Sequence, residues 1–157
     1  MWPPKKTKQK QHKYIFTVID AFSKFLKMYP CKTTNTAEVI KHLTNYFSSY
    51  SKPLQIMIIS DRGSAFTSKQ FTEFLKSNEI SHSLIATGVP RANGQMERYN
   101  RFIIPMIAKL TESPDRWDCI ISDVECAVNN TVNKSTGQTP SKLLFQKSVV
   151  LDTLFPQ

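Results

Sequence analysis

Leu54-Gln55-Ile56-Met57-Ile58-Ile59-Ser60-Asp61-Arg62-Gly63 is a short apolar run that closes on an acid and a glycine. With Lys52-Pro53 breaking the chain before it, the run reads as a buried strand from Leu54 to Ile59. Upstream, Asn35 and Glu38 have the spacing of a capping box, with Asn in place of the usual Ser or Thr. Ala37, Ile40, Leu43, Tyr46 and Phe47 then recur at helical spacing and predict one apolar stripe. Downstream, a helix is predicted from about Ser68 to Asn78 with Phe71, Phe74 and Leu75 inward, followed by a short strand from Ser81 to Ile85. A strand set between helices in this way argues for an α/β domain.

Further out, Tyr14 to Asp20 (YIFTVID) is β-branched and aromatic with almost no polar break, as suits a strand covered on both faces. A second strand is expected over Phe25 to Pro30 after a tight turn at Ala21 to Lys24. Gly88, Pro90, Asn93 and Gly94 mark Thr87 to Gly94 as a loop. Beyond it Met96, Tyr99, Ile103, Met106, Ile107 and Leu110 define the buried face of a long helix, which Pro105 should bend or break. Helices from Asp115 to Asn130 and from Thr139 to Phe145 complete the chain, with Trp117 and Phe145 as core anchors. The expected organisation is a basic disordered arm or loop at 1–13, an α/β core at 14–147 with a mixed sheet flanked by helices, and a tail at 148–157.

The 157 residues carry a net charge of +9, which favours a polyanionic partner because Lys and Arg displace counterions from phosphates. Five of the 21 basic residues and none of the 12 acids fall in residues 1–13. No run of eighteen apolar residues or signal-peptide pattern is present, so a soluble intracellular protein without a membrane partner is expected. Cys31, Cys119 and Cys126 form no C-x-x-C pair, and His12, His42 and His82 stand singly, so no zinc-ligand spacing is seen and reduced, unliganded thiols are expected.

Asp61 ends a strand, where functional groups gather in open α/β sheets, although Asp also serves as a turn or cap residue. Glu97 is placed in the first turn of the long helix, where the dipole alone would favour a carboxylate. Asp115, Asp118, Asp123 and Glu125 read as one first-turn acid and a solvated face. Asp61 and Glu97 are separated by 35 residues.

That spacing, with its flanking words, resembles the DDE integrase core, the ribonuclease-H-like domain of retroviral and long-terminal-repeat retrotransposon integrases. The matching stretches are Tyr14 to Phe25 (YIFTVIDAFSKF), Ile59 to Phe66 (ISDRGSAF), Arg91 to Arg101 (RANGQMERYNR) and Asn129 to Phe145 (NNTVNKSTGQTPSKLLF), with wording nearest the gypsy class. The resemblance implies integration of DNA by 3′-processing and strand transfer, with carboxylates holding two Mg²⁺ or Mn²⁺ ions. It places Asp61 and Glu97 as the second and third of three catalytic metal ligands. Asn93, Asn100 and Arg101 become DNA contacts, with Arg98 and Arg91 beside them. It further implies retroelement ends and target DNA as partners, a homodimer or larger assembly, and a nuclear site of action after cytoplasmic passage.

The family's first carboxylate lies on an opening strand, a few residues before a Gly-Pro pair; here the matching place is Trp2-Pro3, and the Asp is absent. Asp20 belongs to the next strand and is expected to serve its turn. The expectation is therefore a polynucleotidyl transferase core that lacks its first strand and is truncated or inactive as given. The alternative is a domesticated, non-catalytic module for nucleic-acid binding or dimerisation.

Overall fold

The Tyr-Ile-Phe-Thr-Val-Ile run forms strand β1 (Tyr14–Ile19), paired antiparallel with β2 (Leu26–Cys31), so that Tyr14 faces Cys31 and Ile19 faces Leu26. The computed structural model describes residues 6–8, 10–50, 56–85 and 90–145; the expected tail at 148–157 lies outside the described residues. Asp20 serves the hairpin turn, its carboxylate accepting from Ser23 N and Ser23 Oγ while Lys24 takes a positive φ of 66°. β1 alternates between two apolar clusters: Ile15 and Ile19 pack on one, Phe16 and Val18 on the other.

Helix α1 (Thr36–Ser49) starts where the cap spacing predicts, with Asn35 accepting from Glu38 N. The reciprocal half of the box differs, because the Glu38 carboxylate accepts from Lys32 N and Thr33 N rather than from Asn35. The buried stripe is centred on Val39 and Leu43, and Ala37 faces solvent. β3 (Ile56–Ser60) then pairs in parallel with β4 (Ile80–Leu84), across a connection made by α2 (Ser64–Thr67) and α3 (Lys69–Ser77).

Helix α4 (Pro90–Leu110) begins within the predicted loop. Pro90 explains this: its fixed φ and missing N–H suit a first helical position. The helix also continues through Pro105, with Tyr99, Ile103 and Ile107 as its buried stripe, while Leu110 is exposed. The predicted helix from Asp115 is in fact a 3₁₀ turn (Trp117–Ile120) followed by α5 (Ile121–Asn129), and a last helical segment covers 140–145. Trp117 is fully buried, as expected of an anchor; Phe145 is half exposed and meets Phe25 edge-on.

The strands form two separate pairs, antiparallel β1-β2 and parallel β3-β4. β1 and β3 share an apolar cluster through Phe16, Val18, Ile56 and Ile58, but no ladder joins them among the described residues. An α/β layer with mixed pairing and flanking helices is as predicted, and among the described residues it is divided into these two pairs. Met57 and Ile59 on the β3 edge are 65% and 53% exposed.

The outer edge of β2 is closed by α5. Asn129 Oδ1 accepts from Leu26 N and Asn129 Nδ2 donates to Leu26 O, both at 2.8 Å. One turn earlier Glu125 accepts from Met28 N and from Lys27 Nζ. Glu125 is 7% exposed, so the solvated role predicted for it is wrong; a strand edge with unmet N–H groups draws a buried carboxylate inward. Asp118 is also partnered, by His12 Nδ1 at 2.8 Å.

The described residues of the basic arm, 6–8 and 10–13, take no helix or strand, yet Thr7 is buried and its hydroxyl accepts from His12 N. Lys8 N donates to Asp115 O, and Lys8 Nζ lies 2.8 Å from Asp115 Oδ2. Polar partners, rather than apolar burial, hold these residues.

Two predictions follow from this packing. Asn129→Ala strips two buried backbone groups of partners, at about 1–3 kcal/mol each, so urea unfolding should show a loss of roughly 2–6 kcal/mol; a change below about 0.5 kcal/mol would contradict the edge closure. Lys8 and then Ser113 hold the Asp115 carboxyl down to about 2 from an ordinary 3.8. Its contribution to stability is therefore complete above the ordinary carboxyl range and lost as pH falls towards 2. In Lys8→Ala its titration, followed by carboxyl carbon NMR, should move up towards 3.8; an unmoved midpoint would show that the arm is undocked.

Candidate functional site

Ser60 and Asp61 stand at the carboxyl end of β3, where the chain leaves the sheet for α2. Ser60 Oγ donates to the Asp61 carbonyl and lies 2.9 Å from His82 Nε2 on the neighbouring strand. With its only proton so committed, Ser60 accepts from His82, which fixes the Nε2–H tautomer of that ring. Burial lowers the pKa of His82 and keeps it neutral.

The Asp61 carboxylate is exposed, and its Oδ1 accepts from Gly63 N at 2.9 Å. A Cβ on residue 63 would lie 3.0 Å from that oxygen, so glycine is there for close approach and its φ is ordinary. Among the described residues Oδ2 takes no hydrogen bond. Of the two readings left open for Asp61, the turn role is the one observed, with one oxygen setting the turn at Gly63 while the side chain stays exposed.

Asp61 borders a cavity of about 270 Å³. Tyr14 to Phe16 of β1, Thr33, Thr34 and Glu38 before and within α1, and Gly63 to Phe66 form its walls. Burial alone would raise the pKa of Glu38, but hydrogen bonds from Thr33 and Lys32 outweigh it and hold the group below its ordinary value. A carboxylate fixed as an anion and a second, exposed one therefore share this recess.

Glu97 is exposed on α4 and does not line the cavity. Because α4 begins at Pro90, Glu97 sits two turns inside the helix and its first turn holds no acid. The helix-dipole reading of Glu97 is therefore withdrawn. Glu97, Arg98 and Arg101 share the face opposite the Tyr99, Ile103 and Ile107 stripe, with Asn100 at its flank. Arg98 Nε donates to Gly94 O at 3.0 Å. No Glu97 to Arg101 ion pair forms among the described residues, so the simple intrahelical role for Arg101 fails. Arg91 and Asn93 lie on helical backbone rather than in a loop, and their side chains are outside what is described.

Sequence reasoning missed Cys31, Glu38 and His42, whose ligand-type atoms meet beside the same cavity. Their spacing matches no metal motif; only the proximity of a strand end to the following helix could have hinted at it.

A family model described as integrase core domain matches residues 4–90. The Pro-Pol polyprotein of feline foamy virus is 35% identical over 133 residues, covering 84% of this chain and 11% of that polyprotein. The transposon Tf2-3 polyprotein of Schizosaccharomyces pombe is 27% identical over 143 residues, covering 89% and 11%. The chain thus spans about a ninth of the length of these relatives. Among solved structures, the HTLV-2 integrase catalytic core domain in complex with magnesium, in a trimeric form, superposes with a TM-score of 0.68 at 27% identity, covering 90% of this chain and 92% of that one. The catalytic core domain of BIV integrase gives 0.69 at 16% identity over 94% of each chain, a likeness of fold alone.

Proposed function

This chain belongs to the integrase core domain family, and from that premise we propose that it engages the DNA ends of a retroelement with an incomplete metal centre. The fold is the α/β, ribonuclease-H-like one of integrase cores. The observation that carries the reading is Asp61 at the carboxyl end of a parallel strand, one oxygen clamped by Gly63 and the other uncommitted.

Asp61 and Glu97 are the catalytic, metal-binding pair in this proposal. Hard carboxylate oxygens suit Mg²⁺ or Mn²⁺ in kind. Their number falls short: the resemblance implies three carboxylates, and Asp20 is spent on Ser23. A complete pair of such ions would activate a water or a DNA 3′-hydroxyl and stabilise the leaving oxygen. With two ligands, one ion binds weakly, and strand transfer is not expected of these residues alone.

DNA is the proposed partner. Arg101, free of Glu97, presents its guanidinium for a phosphate, and Arg98 keeps its terminal N–H groups for another. Asn100, exposed on the same helix, extends the surface, and Arg91 and Asn93 belong to the proposed DNA contacts by sequence position alone. The net charge of +9 supplies the long-range attraction. A homo-oligomer, action in the nucleus and a core bounded by residues 14 and 147 belong to the same reading. That the first of the three implied carboxylates has no match among these residues favours a second reading, a non-catalytic DNA-binding or dimerisation module.

Strand transfer on a DNA-end oligonucleotide with Mn²⁺ should not exceed that of a Glu97→Gln control. Product clearly above the control would overturn the inactivity proposed here, and with it the non-catalytic alternative. In binding assays across a salt series, Arg101→Ala should weaken affinity and reduce the slope of log K on log salt by about 1. An unchanged slope would remove Arg101 from the DNA surface.

A further inference from the structure

Three side chains of unlike chemistry converge where β2 gives way to α1, and the integrase reading uses none of them. Cys31 is the last residue of β2 and is 3% exposed; Glu38 and His42, four residues apart, stand on one face of α1. Cys31 Sγ, a Glu38 oxygen and a ring nitrogen of His42 all lie within 4.8 Å of one another.

The state of each group matters. His42 makes no side-chain hydrogen bond among the described residues, and its Nε2 is buried without a partner. Folded proteins rarely leave such an atom unmet. The ring is held by stacking instead, 4.7 Å from Tyr29 and 6.2 Å from Phe16 between ring centres. The Glu38 carboxylate accepts from Lys32 N, Thr33 N and Thr33 Oγ1, which uses three of its roughly four lone-pair sites and fixes its direction. Cys31 Sγ donates to Tyr29 O, and the Phe16 backbone also hydrogen-bonds this thiol. Each group therefore keeps ligand capacity, and one ligand-type atom of each lies within the same small volume.

We propose that Cys31, Glu38 and His42 bind one zinc ion, with a fourth position open to the cavity that Asp61 borders. Sulfur, imidazole nitrogen and one carboxylate oxygen form a borderline-soft set that selects zinc over the hard Mg²⁺ proposed for Asp61 and Glu97. In a tetrahedral site, ligand atoms about 2.0–2.3 Å from the metal sit roughly 3.5 Å apart, so side-chain shifts of about an ångström close it. On binding, the Cys31 S–H bond breaks, the sulfur–zinc bond forms and the proton passes to solvent; His42 contributes a lone pair while neutral. The hydrogen bonds from residues 32 and 33 act as the outer support that metal-ligating carboxylates usually have. The plain alternative, a core thiol beside a stacked ring, leaves the buried nitrogen unexplained.

The test uses the full chain, freed of metal and titrated with Co²⁺ as a spectroscopic probe, then with Zn²⁺ against a chromophoric chelator. One equivalent should bind with a thiolate-to-cobalt charge-transfer band, and Zn²⁺ should raise the melting temperature. Cys31→Ser should abolish the band and weaken zinc at least tenfold, as should Glu38→Gln, whose single amide oxygen keeps an acceptor for Thr33 but not for Lys32 N as well; Asp61→Asn and excess Mg²⁺ should change neither. Circular dichroism checks that each variant folds. Absence of a thiolate band in the folded parent chain overturns the proposal. So does tight zinc binding that survives Cys31→Ser, since Cys119 and Cys126 are exposed and free to bind elsewhere.

Discussion

The two-sided clasp of Asn129 on Leu26 is the constraint on which the rest of the structure depends. A primary amide meets a peptide unit with one donor and one acceptor, so it imitates a neighbouring strand for a single residue. Glu125 supplies the acceptor half alone, taking Met28 N, and the hairpin edge becomes the interior of a strand-helix junction. Because α5 is fixed in this way, Trp117 and Ile121 are brought against α4, and the buried stripe of α4 joins Leu26 and Met28 of β2 in one cluster. The orientation of α4 then decides that Glu97, Arg98 and Arg101 look outward. A polar contact therefore sets the direction of the surface proposed to meet DNA.

Much of this was legible in the sequence wherever one local rule governed the outcome. The Asn35 cap, the Asp20 turn, the hairpin and the parallel pair follow from residue pattern and turn chemistry. Asp61 at a strand end was readable for the same reason. The errors fall where a partner distant in sequence decides. Glu125 looked like one of several surface acids, since nothing nearby shows that β2 offers it an unmet N–H 97 positions away. The start of α4 was misread because Pro90 and Gly94 signal turns in isolation, although proline also suits the first helical position.

The candidate site was half visible. Sequence showed two acids with family spacing but could not show that Asp61 divides its oxygens between a turn and open space. Nor could it show that a second anionic group, Glu38, shares the recess, because its neighbours come from a loop whose path depends on where β2 ends. Cys31, Glu38 and His42 belong to the same class of information: three unremarkable residues made adjacent by one change of direction in the chain.

Pro105 sits in α4 four residues after Arg101, and a proline has no amide hydrogen to give to the carbonyl it follows by that interval. The rung of the helical ladder that would tie residue 105 back to Arg101 is therefore missing. The segment bearing the outward arginines is coupled to the tightly packed Ile107 end through a weakened link. Thermal bending should concentrate there, and the basic half of the rod gains freedom to adjust its pitch without disturbing the anchored half.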